Sequence, residues 1–271
     1  DRAGSRIAAG TVIESIDGTA IGADDDIAQY LNLVRGRDTR LGLYDPESGE
    51  RWQEVLTPIS GYEERDLAYW LWVDERREIV ERLSGGRIGY VHVPQMDEDA
   101  YRIAYANLFG RYADSEAVVI DIRFNGGGNL TGQLVSLLSG QQHLTWTPGD
   151  KGQTAIEPVG RWTKPSAVLT NPASYSDGHI FPYVYKANGL GPLIGEPIAG
   201  TGTAVWWEDQ QDSALYYGVP QAGFKTEAGT WLENQQLEPD IHVGISPEDK
   251  VAGRDPQLEK AVEVLLQQLD P

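Results

Sequence analysis

The sequence contains no cysteine and few histidines, and these shortages remove several kinds of functional site. None of its 271 residues is Cys, and only four are His. Disulfides, thiol catalysis and Cys-ligated zinc are therefore excluded. His92, His143, His179 and His242 are scattered and show no HExxH or similar pairing. We therefore expect no metal site. No cofactor is expected either.

Long apolar runs and basic residues are also scarce. No apolar stretch approaches the roughly 18 residues needed to span a bilayer, so membrane insertion is not expected. The 22 basic residues face 41 acidic ones, which gives a formal net charge of −19. That charge repels nucleic acid and anionic membranes, so both are poor candidate partners. It favours cationic or neutral substrates, although solubility alone explains it equally well.

The sequence does contain two successive patterns of secondary structure. Residues 1–60 carry short β patterns, with Asp17-Gly18 as a hairpin turn and a short helix predicted over 24–34. A charged helix follows over 61–84. From there strands and helices alternate, which is typical of an α/β domain with crossover connections. We predict a β-rich module (1–60), a helical linker (61–84) and an α/β core (85–271).

Within the core, the strand and helix predictions are specific. Strands are predicted over 87–93, 117–122 and 166–170, and helices over 97–112, 130–138, 179–187 and 256–269. Residues 203–243 return to strands and turns.

The first candidate site is a glycine-rich corner. The segment AVVIDIRFNGGGN (117–129) is a buried-looking strand that runs into three glycines and then a helix. Glycine lets backbone amides turn outward without steric cost, and a helix start adds partial positive charge. Such a corner can bind an oxyanion or a phosphate, but a tight strand-to-helix turn explains it equally well. The nucleotide-binding motifs GxGxxG and GxxxxGK[ST] are both absent from it.

The second candidate site is the corner around Ser176, in LTNPASYSDGHIFPYVYK (169–186). Serine is a favoured helix N-cap, so capping alone can explain it. However, a helix capped by Ser176 places Pro182 beyond the first turn, which costs about 3 kcal/mol. A helix that begins at Asp177 or Gly178 leaves the Ser176 hydroxyl free. This placement is typical of a nucleophile elbow, although the GxSxG motif is missing.

The third candidate is Glu233, in GTWLENQQLEPDIHV (229–243). It lies between strand-like segments and beside Trp231. A carboxylate there can orient a base or polarise a nucleophile. A surface glutamate in an acidic protein is the simpler interpretation.

Together these segments resemble peptidase family S41, the tail-specific processing proteases with their tricorn-like branch. The resemblance follows the family's order through most of the chain. The matching segments are AGTVIESIDGTAI (9–21), similar to the second half of a PDZ domain; GGRIGYVHVPQM (85–96) and AVVIDIRFNGGGN, similar to the entry strands and glycine turn; SYSDGHIFPYVYKANGLGPLIGEP (174–197), the nucleophile segment; LENQQLEPDIHV (232–243), the Glu-containing stretch; and GRDPQLEKAVEVLL (253–266), the closing helix.

The resemblance implies a fold, an activity and a set of site residues. The fold is a ClpP/crotonase-like α/β core of βαβ units, preceded by a partial PDZ-like module. The activity is that of a serine peptidase acting on peptides or unfolded proteins, with Ser176 as nucleophile and Glu233 as accessory acid. The amide of Asp177, with one from the Gly127–Gly128 turn, forms the oxyanion hole.

The catalytic base is the main departure from the family pattern. Processing proteases use a lysine after the nucleophile helix, where this sequence has Thr201. Lys186 lies ten residues along the helix from Ser176, about 15 Å away, and cannot replace it. The tricorn-like branch takes its histidine from a domain before the PDZ domain. Since the first residues read as the middle of a folded unit, we expect the natural protein to extend upstream and to carry that histidine there. His179 is expected to be a first-turn helix residue near solvent.

Two other functional classes stay open. One is a non-catalytic module of the same fold that binds peptides or apolar ligands, for which Trp206-Trp207 would suit an apolar groove. The other is a crotonase-like hydratase or hydrolase, but no site for the phosphates of CoA is evident in so acidic a chain. The resemblance also admits a homo-oligomer. A cytoplasmic location is slightly favoured, with a periplasmic one as the alternative.

Overall fold

The computed structural model describes residues 4–147 and 154–271. The chain divides into two compact units, residues 1–72 and 73–271, so the boundary falls inside the long charged helix. None of the described helices has the length and apolar character required to cross a membrane.

The first unit contains a four-stranded antiparallel sheet with the strand order β2-β1-β3-β4. Its small core consists of Ile16, Leu41 and Leu43, with partly buried neighbours. The elements are β1 (Val12–Ile16), β2 (Thr19–Ala20), α1 (Ala28–Leu31), β3 (Thr39–Tyr44), β4 (Arg51–Leu56) and the first part of α2 (Gly61–Ser84).

The predicted hairpin turn is confirmed, whereas the predicted helix is shorter than expected. Asp17 and Gly18 have φ of 49° and 85° between the paired strands β1 and β2, as a tight hairpin turn requires. The helix predicted over 24–34 is reduced to the four residues of α1. The Asp25 carboxylate accepts a hydrogen bond from the backbone N–H of Gly22 and another from the hydroxyl of Tyr30. Such local bonds compete with helix formation.

The second unit is built on a five-stranded parallel sheet with the order β13-β10-β9-β6-β5. The predicted α/β alternation is therefore observed. The elements are β5 (Ile88–His92), α3 (Glu98–Ala106) continued by a π-helix (Asn107–Arg111), β6 (Ala117–Asp121), α4 (Thr131–Leu138), β7 (Leu144–Trp146), β8 (Ala155–Glu157), β9 (Ser166–Thr170), α5 (Asp177–Ala187), β10 (Leu193–Gly195), β11 (Thr203–Asp209), β12 (Tyr216–Gly223), β13 (Ile241–His242), α6 (Pro247–Val251) and α7 (Pro256–Leu269).

The central strands are buried on both faces, which explains their continuous apolar sequences. Val118, Ile120 and Ile122 lie in one cluster with Leu134 of α4 and Phe181 of α5. Helix α7 contacts β6, β9 and β10. Its buried residues include Leu258, Ala261, Val262 and Leu265.

The strand order brings two distant corners of the chain together. Strands β6 and β9 are parallel neighbours, and Asp121 pairs with Leu169 near their carboxyl ends. The segment after each strand therefore leaves from the same edge of the sheet, where α/β proteins bind their ligands. The glycine turn follows β6, and Ser176 follows β9.

Candidate active site

The glycine turn and the Ser176 corner are in direct contact. The N–H of Tyr175 donates to the carbonyl oxygen of Asn125, at 2.9 Å. A Cβ added to Gly127 would lie 2.6 Å from the Cβ of Ser176 and 3.3 Å from the backbone nitrogen of Asp177. Only glycine permits this approach, because a real side chain would collide with the serine.

Ser176 occupies the N-cap position of α5 but does not cap the helix with its side chain. Its φ is 56° and its ψ −118°, which is a costly conformation for a residue with a Cβ. The side chain is half-buried. Its hydroxyl has no hydrogen-bond partner in residues 4–147 and 154–271. The strained backbone thus turns the serine out of the capping geometry, as in a nucleophile elbow.

The interpretation of Pro182 needs a correction. We expected the helix start to keep this proline within the first turn. Helix α5 begins at Asp177, so Pro182 lies inside it. It carries no N–H, and the helix therefore lacks one internal hydrogen bond there. The free hydroxyl of Ser176 follows instead from its own backbone angles.

The buried side chain of Asn125 fixes the shape of the glycine turn. Its Nδ2 donates to the carbonyl oxygen of Val93 at 2.7 Å. Its Oδ1 accepts from the N–H of Gly127 at 2.8 Å. The turn also pairs with the next segment, since the Met96 N–H donates to the Gly127 carbonyl and the Asn129 N–H to the Met96 carbonyl.

Gly127 and Gly128 were both expected as possible oxyanion donors, but their backbone N–H groups differ in whether they are already hydrogen-bonded. The N–H of Gly127 is already used by Asn125. Among the described residues, no acceptor is bonded to the N–H of Gly128 or to that of Asp177. These two amides are therefore available for a ligand oxygen, and Gly128 is the better candidate of the glycine pair.

The carboxylate of Asp177 joins the two corners in a way that the sequence did not indicate. It accepts from the N–H groups of Leu130 and Thr131 at 2.6 and 3.0 Å, and from the Thr131 hydroxyl at 2.6 Å. These residues begin α4. Asp177 thus caps one helix with its side chain while its backbone begins another. A negative charge at a helix start is stabilising.

Thr201 contacts the Ser176 corner, and the loop that carries it pairs with the loop that carries Glu233. The N–H of Asn234 donates to the carbonyl oxygen of Gly200, and Ile198 pairs with Leu237. Half-buried Glu233 accepts from the hydroxyl of Thr203 at 2.7 Å. The hydroxyl oxygen of Thr201 accepts from the N–H of Ser176 at 3.1 Å.

The expectation for His179 was wrong. The side chain is 1% exposed rather than near solvent. Its Nδ1 is buried without a hydrogen-bond partner among the described residues. Burial lowers the pKa of His179, and the negative charge of Glu233 opposes this effect. The imidazole is therefore neutral at neutral pH and lies within the electrostatic range of Glu233.

The other candidate groups lie elsewhere. Lys186 forms an ion pair with Asp240 at 2.8 Å and donates to the carbonyl of Glu238, so its ammonium is occupied. His92 bonds to the carbonyl of Arg123, and burial lowers the pKa of its imidazole. The described part of the chain contains no group of acidic and histidine side chains that could hold a metal ion.

Sequence reasoning selected Ser176, Glu233 and the glycine turn as candidates but missed the hydrogen bonds of Asn125 and of the Asp177 carboxylate. Both side chains act through tertiary hydrogen bonds, which leave no local pattern in the sequence. The only available signal was the polar identity of Asn125 directly after a buried strand.

Comparisons with known proteins concern the family and the fold of the chain. The model of peptidase family S41 matches residues 87–243, more than half of the chain. The tricorn protease of Thermoplasma acidophilum is 28% identical over 261 residues, which cover 96% of this chain and 24% of that protein. The tricorn protease homolog of Saccharolobus solfataricus is 34% identical over 267 residues, covering 98% and 24%.

A crystal structure of tricorn protease superposes with a TM-score of 0.79 at 26% identity, covering 97% of this chain and 25% of that one. The expected α/β class with a parallel sheet is thereby confirmed. This chain spans about a quarter of the length of these relatives. The PDZ-like character of the first unit stays a prediction.

Proposed function

Because this chain belongs to peptidase family S41, we propose that it carries the catalytic serine of a peptidase, with Ser176 as nucleophile. The observation that carries the proposal is the strained backbone of Ser176, which packs against Gly127. The Ser176 hydroxyl makes no hydrogen bond to the described residues. The named relatives are proteases. Substrates are unstructured peptides, because only an extended chain presents its backbone carbonyl to a serine at a surface corner.

The proposed reaction forms an acyl-enzyme. The Ser176 oxygen attacks the carbonyl carbon of the peptide bond and loses its proton to a base. The oxyanion that forms accepts hydrogen bonds from the N–H groups of Asp177 and Gly128. The base protonates the leaving amine, and water then releases the acyl group. Removing one oxyanion donor typically costs 10²–10³-fold in rate.

We propose that the base is a histidine supplied from outside residues 1–271, with Glu233 as the accessory acid. Support comes from the positions of the four histidines. His92 is bonded elsewhere, and His143 and His242 are exposed. Among the described residues, the imidazole of His179 makes no hydrogen bond to the Ser176 hydroxyl; only its backbone N–H bonds to the Ser176 carbonyl. We therefore predict that this chain alone hydrolyses peptides slowly or not at all.

The test compares this chain with a longer protein that joins it to the proposed outside histidine. A fluorophosphonate should label the longer protein at Ser176 and leave its Ser176→Ala variant unlabelled. An unstructured peptide should be cleaved by the longer protein only. Labelling of the longer protein that survives Ser176→Ala would reject the nucleophile.

One result would assign the catalytic base to a residue of this chain and still support the proposed peptidase activity. If this chain alone cleaves peptides, and both Ser176→Ala and His179→Gln abolish the cleavage, the base is His179 and not an outside residue. His242→Gln is the matched control, because that side chain is exposed.

A further inference from the structure

A cavity beside the edge strand β5 shares no residue with the candidate active site. Its volume is about 280 Å³. It lies between the last turns of α2, which contribute Arg77 and Glu81, and the end of the π-helix, which contributes Arg111 and then Tyr112. Since one water takes about 30 Å³ of liquid volume, the cavity has room for a small ligand.

Two residues that line this cavity each carry a buried hydrogen-bond donor without a partner among the described residues. Tyr112 is 9% exposed, and its hydroxyl oxygen is buried without a hydrogen bond. The Nε of Arg77 is likewise buried and unpartnered. An unsatisfied buried polar group costs about 1–3 kcal/mol, so two in one place point to a missing ligand.

The position of the tyrosine is fixed by the fold. A Cβ added to Gly89 of β5 would lie 2.5 Å from the Cγ of Tyr112, so the ring packs directly on the strand backbone. Arg111 is the last residue of the π-helix, and Tyr112 follows it directly. Such bulges are frequent at functional sites.

The residues that line the cavity include two arginines and one acidic residue, whereas the whole chain is strongly acidic. Arg111 is exposed, and its guanidinium has no partner in the described part of the chain. Arg77 forms an ion pair with Asp74 through Nη1, which leaves its Nε for another acceptor. Of the described residues that line the cavity, Glu81 alone is acidic, and it is exposed. Three donors on two cations and a phenol match an acceptor with negative charge.

We propose that this cavity binds a small oxyanion, presented as a phosphate or a carboxylate group. The oxyanion accepts hydrogen bonds from the Tyr112 hydroxyl, the Arg77 Nε and the Arg111 guanidinium. A water molecule satisfies the same donors less well, because it brings no charge to offset Arg111, which has no ion pair among the described residues.

The test uses Tyr112→Phe, which removes only the unpaired hydroxyl. Without ligand, this variant should unfold at the same temperature as the wild type or higher, because an unsatisfied buried group is lost. Titration with inorganic phosphate, and separately with succinate, should raise the unfolding temperature of the wild type in a saturable way. Calorimetry should show affinity about tenfold weaker in Tyr112→Phe and in Arg111→Gln.

Arg102→Gln is the matched control, because Arg102 is an exposed helix arginine that does not line the cavity. It should bind like the wild type. A response to phosphate alone or to succinate alone identifies the group that the site accepts. The proposal is overturned if neither anion stabilises the wild type, or if Tyr112→Phe and Arg111→Gln respond undiminished. None of these readouts depends on Ser176.

Discussion

Gly127 illustrates how a single residue controls the proposed nucleophile. Its φ is 91°, and the position of its missing Cβ lies 2.6 Å from the Cβ of Ser176. We predict that Gly127→Ala lowers the free energy of unfolding by about 1–3 kcal/mol through strain and collision. In the longer protein that carries the proposed base, it should also abolish fluorophosphonate labelling of Ser176, since the serine must move. Denaturant unfolding and labelling measure the two effects.

The matched control is Gly132→Ala in α4, where a Cβ meets nothing within 4 Å. Alanine is favoured over glycine in a helix, so this variant should be as stable as the wild type or more so. Labelling at the wild-type rate in Gly127→Ala would contradict the close packing of the two corners.

The buried His179 gives stability a specific pH dependence. Its pKa is lowered by burial, although Glu233 opposes this. The unfolded chain therefore takes up a proton before the folded one does. The contribution of His179 is fully present above about pH 6.5 and is lost as the pH falls toward its lowered pKa.

We expect the free energy of unfolding to fall between about pH 7 and pH 5 more steeply in the wild type than in His179→Gln. His92 contributes to both proteins, so the difference between their slopes isolates His179. The matched control is His242→Gln, in which an exposed histidine is replaced instead of a buried one. Equal slopes for His179→Gln and the wild type would show that His179 is accessible to protons in the folded state.

At the scale of elements, the Asp177 carboxylate couples the start of α5 to the start of α4. We predict that Asp177→Ala destabilises the protein by about 1–2 kcal/mol, as loss of a helix cap does. It should also slow labelling of Ser176, because the glycine turn immediately precedes α4. Asp177→Asn keeps one oxygen acceptor, so it should restore part of the stability and part of the labelling rate that Asp177→Ala loses.

Ser246→Ala provides the comparison for this effect. Ser246 caps α6 through a capping box, and it belongs to neither corner. Its loss should lower stability by a similar amount and leave the labelling rate unchanged. If both variants slow labelling in proportion to their stability, Asp177 is only a cap and does not position the site.

At the scale of the whole molecule, a buried ionic network ties helix α7 to the sheet. Arg123, which is 2% exposed, bonds to Asp121 at the end of β6 and to Asp255, the N-cap of α7. Burial alone would raise the pKa of Asp121, but the guanidinium of Arg123 outweighs it and lowers that pKa. The closing helix is therefore held by charge as well as by apolar contact.

We predict that Arg123→Ala destabilises the protein by about 3–5 kcal/mol, because the buried Asp121 loses its ionic partner and Asp255 keeps only the longer pair with Arg76 at 3.7 Å. Arg87→Ala is the control, since Arg87 pairs with Glu116 and Asp270 at the surface and should cost at most about 1 kcal/mol. Denaturant unfolding compares the two. Similar losses would mean that water replaces Arg123 in the network.

The sequence by itself determined the individual elements and the two corners, because each depends on residues close together in the chain. The apolar runs of β6 and β9 predict buried parallel strands, and the glycines after β6 predict a turn that only glycine can make. A serine before a helix that contains Pro182 indicated an uncommitted hydroxyl, although the physical reason lies in the backbone angles of Ser176.

Only the tertiary structure decided which groups meet. Strands β6 and β9 are neighbours because of the sheet order, and this alone places Gly127 against Ser176. The Asn125 side chain accepts a hydrogen bond from the N–H of Gly127 and leaves the N–H of Gly128 available. Residues packed around His179 bury its side chain. Hydrogen bonds and burial between residues far apart in the chain depend on three-dimensional packing, which one sequence does not encode in any local pattern.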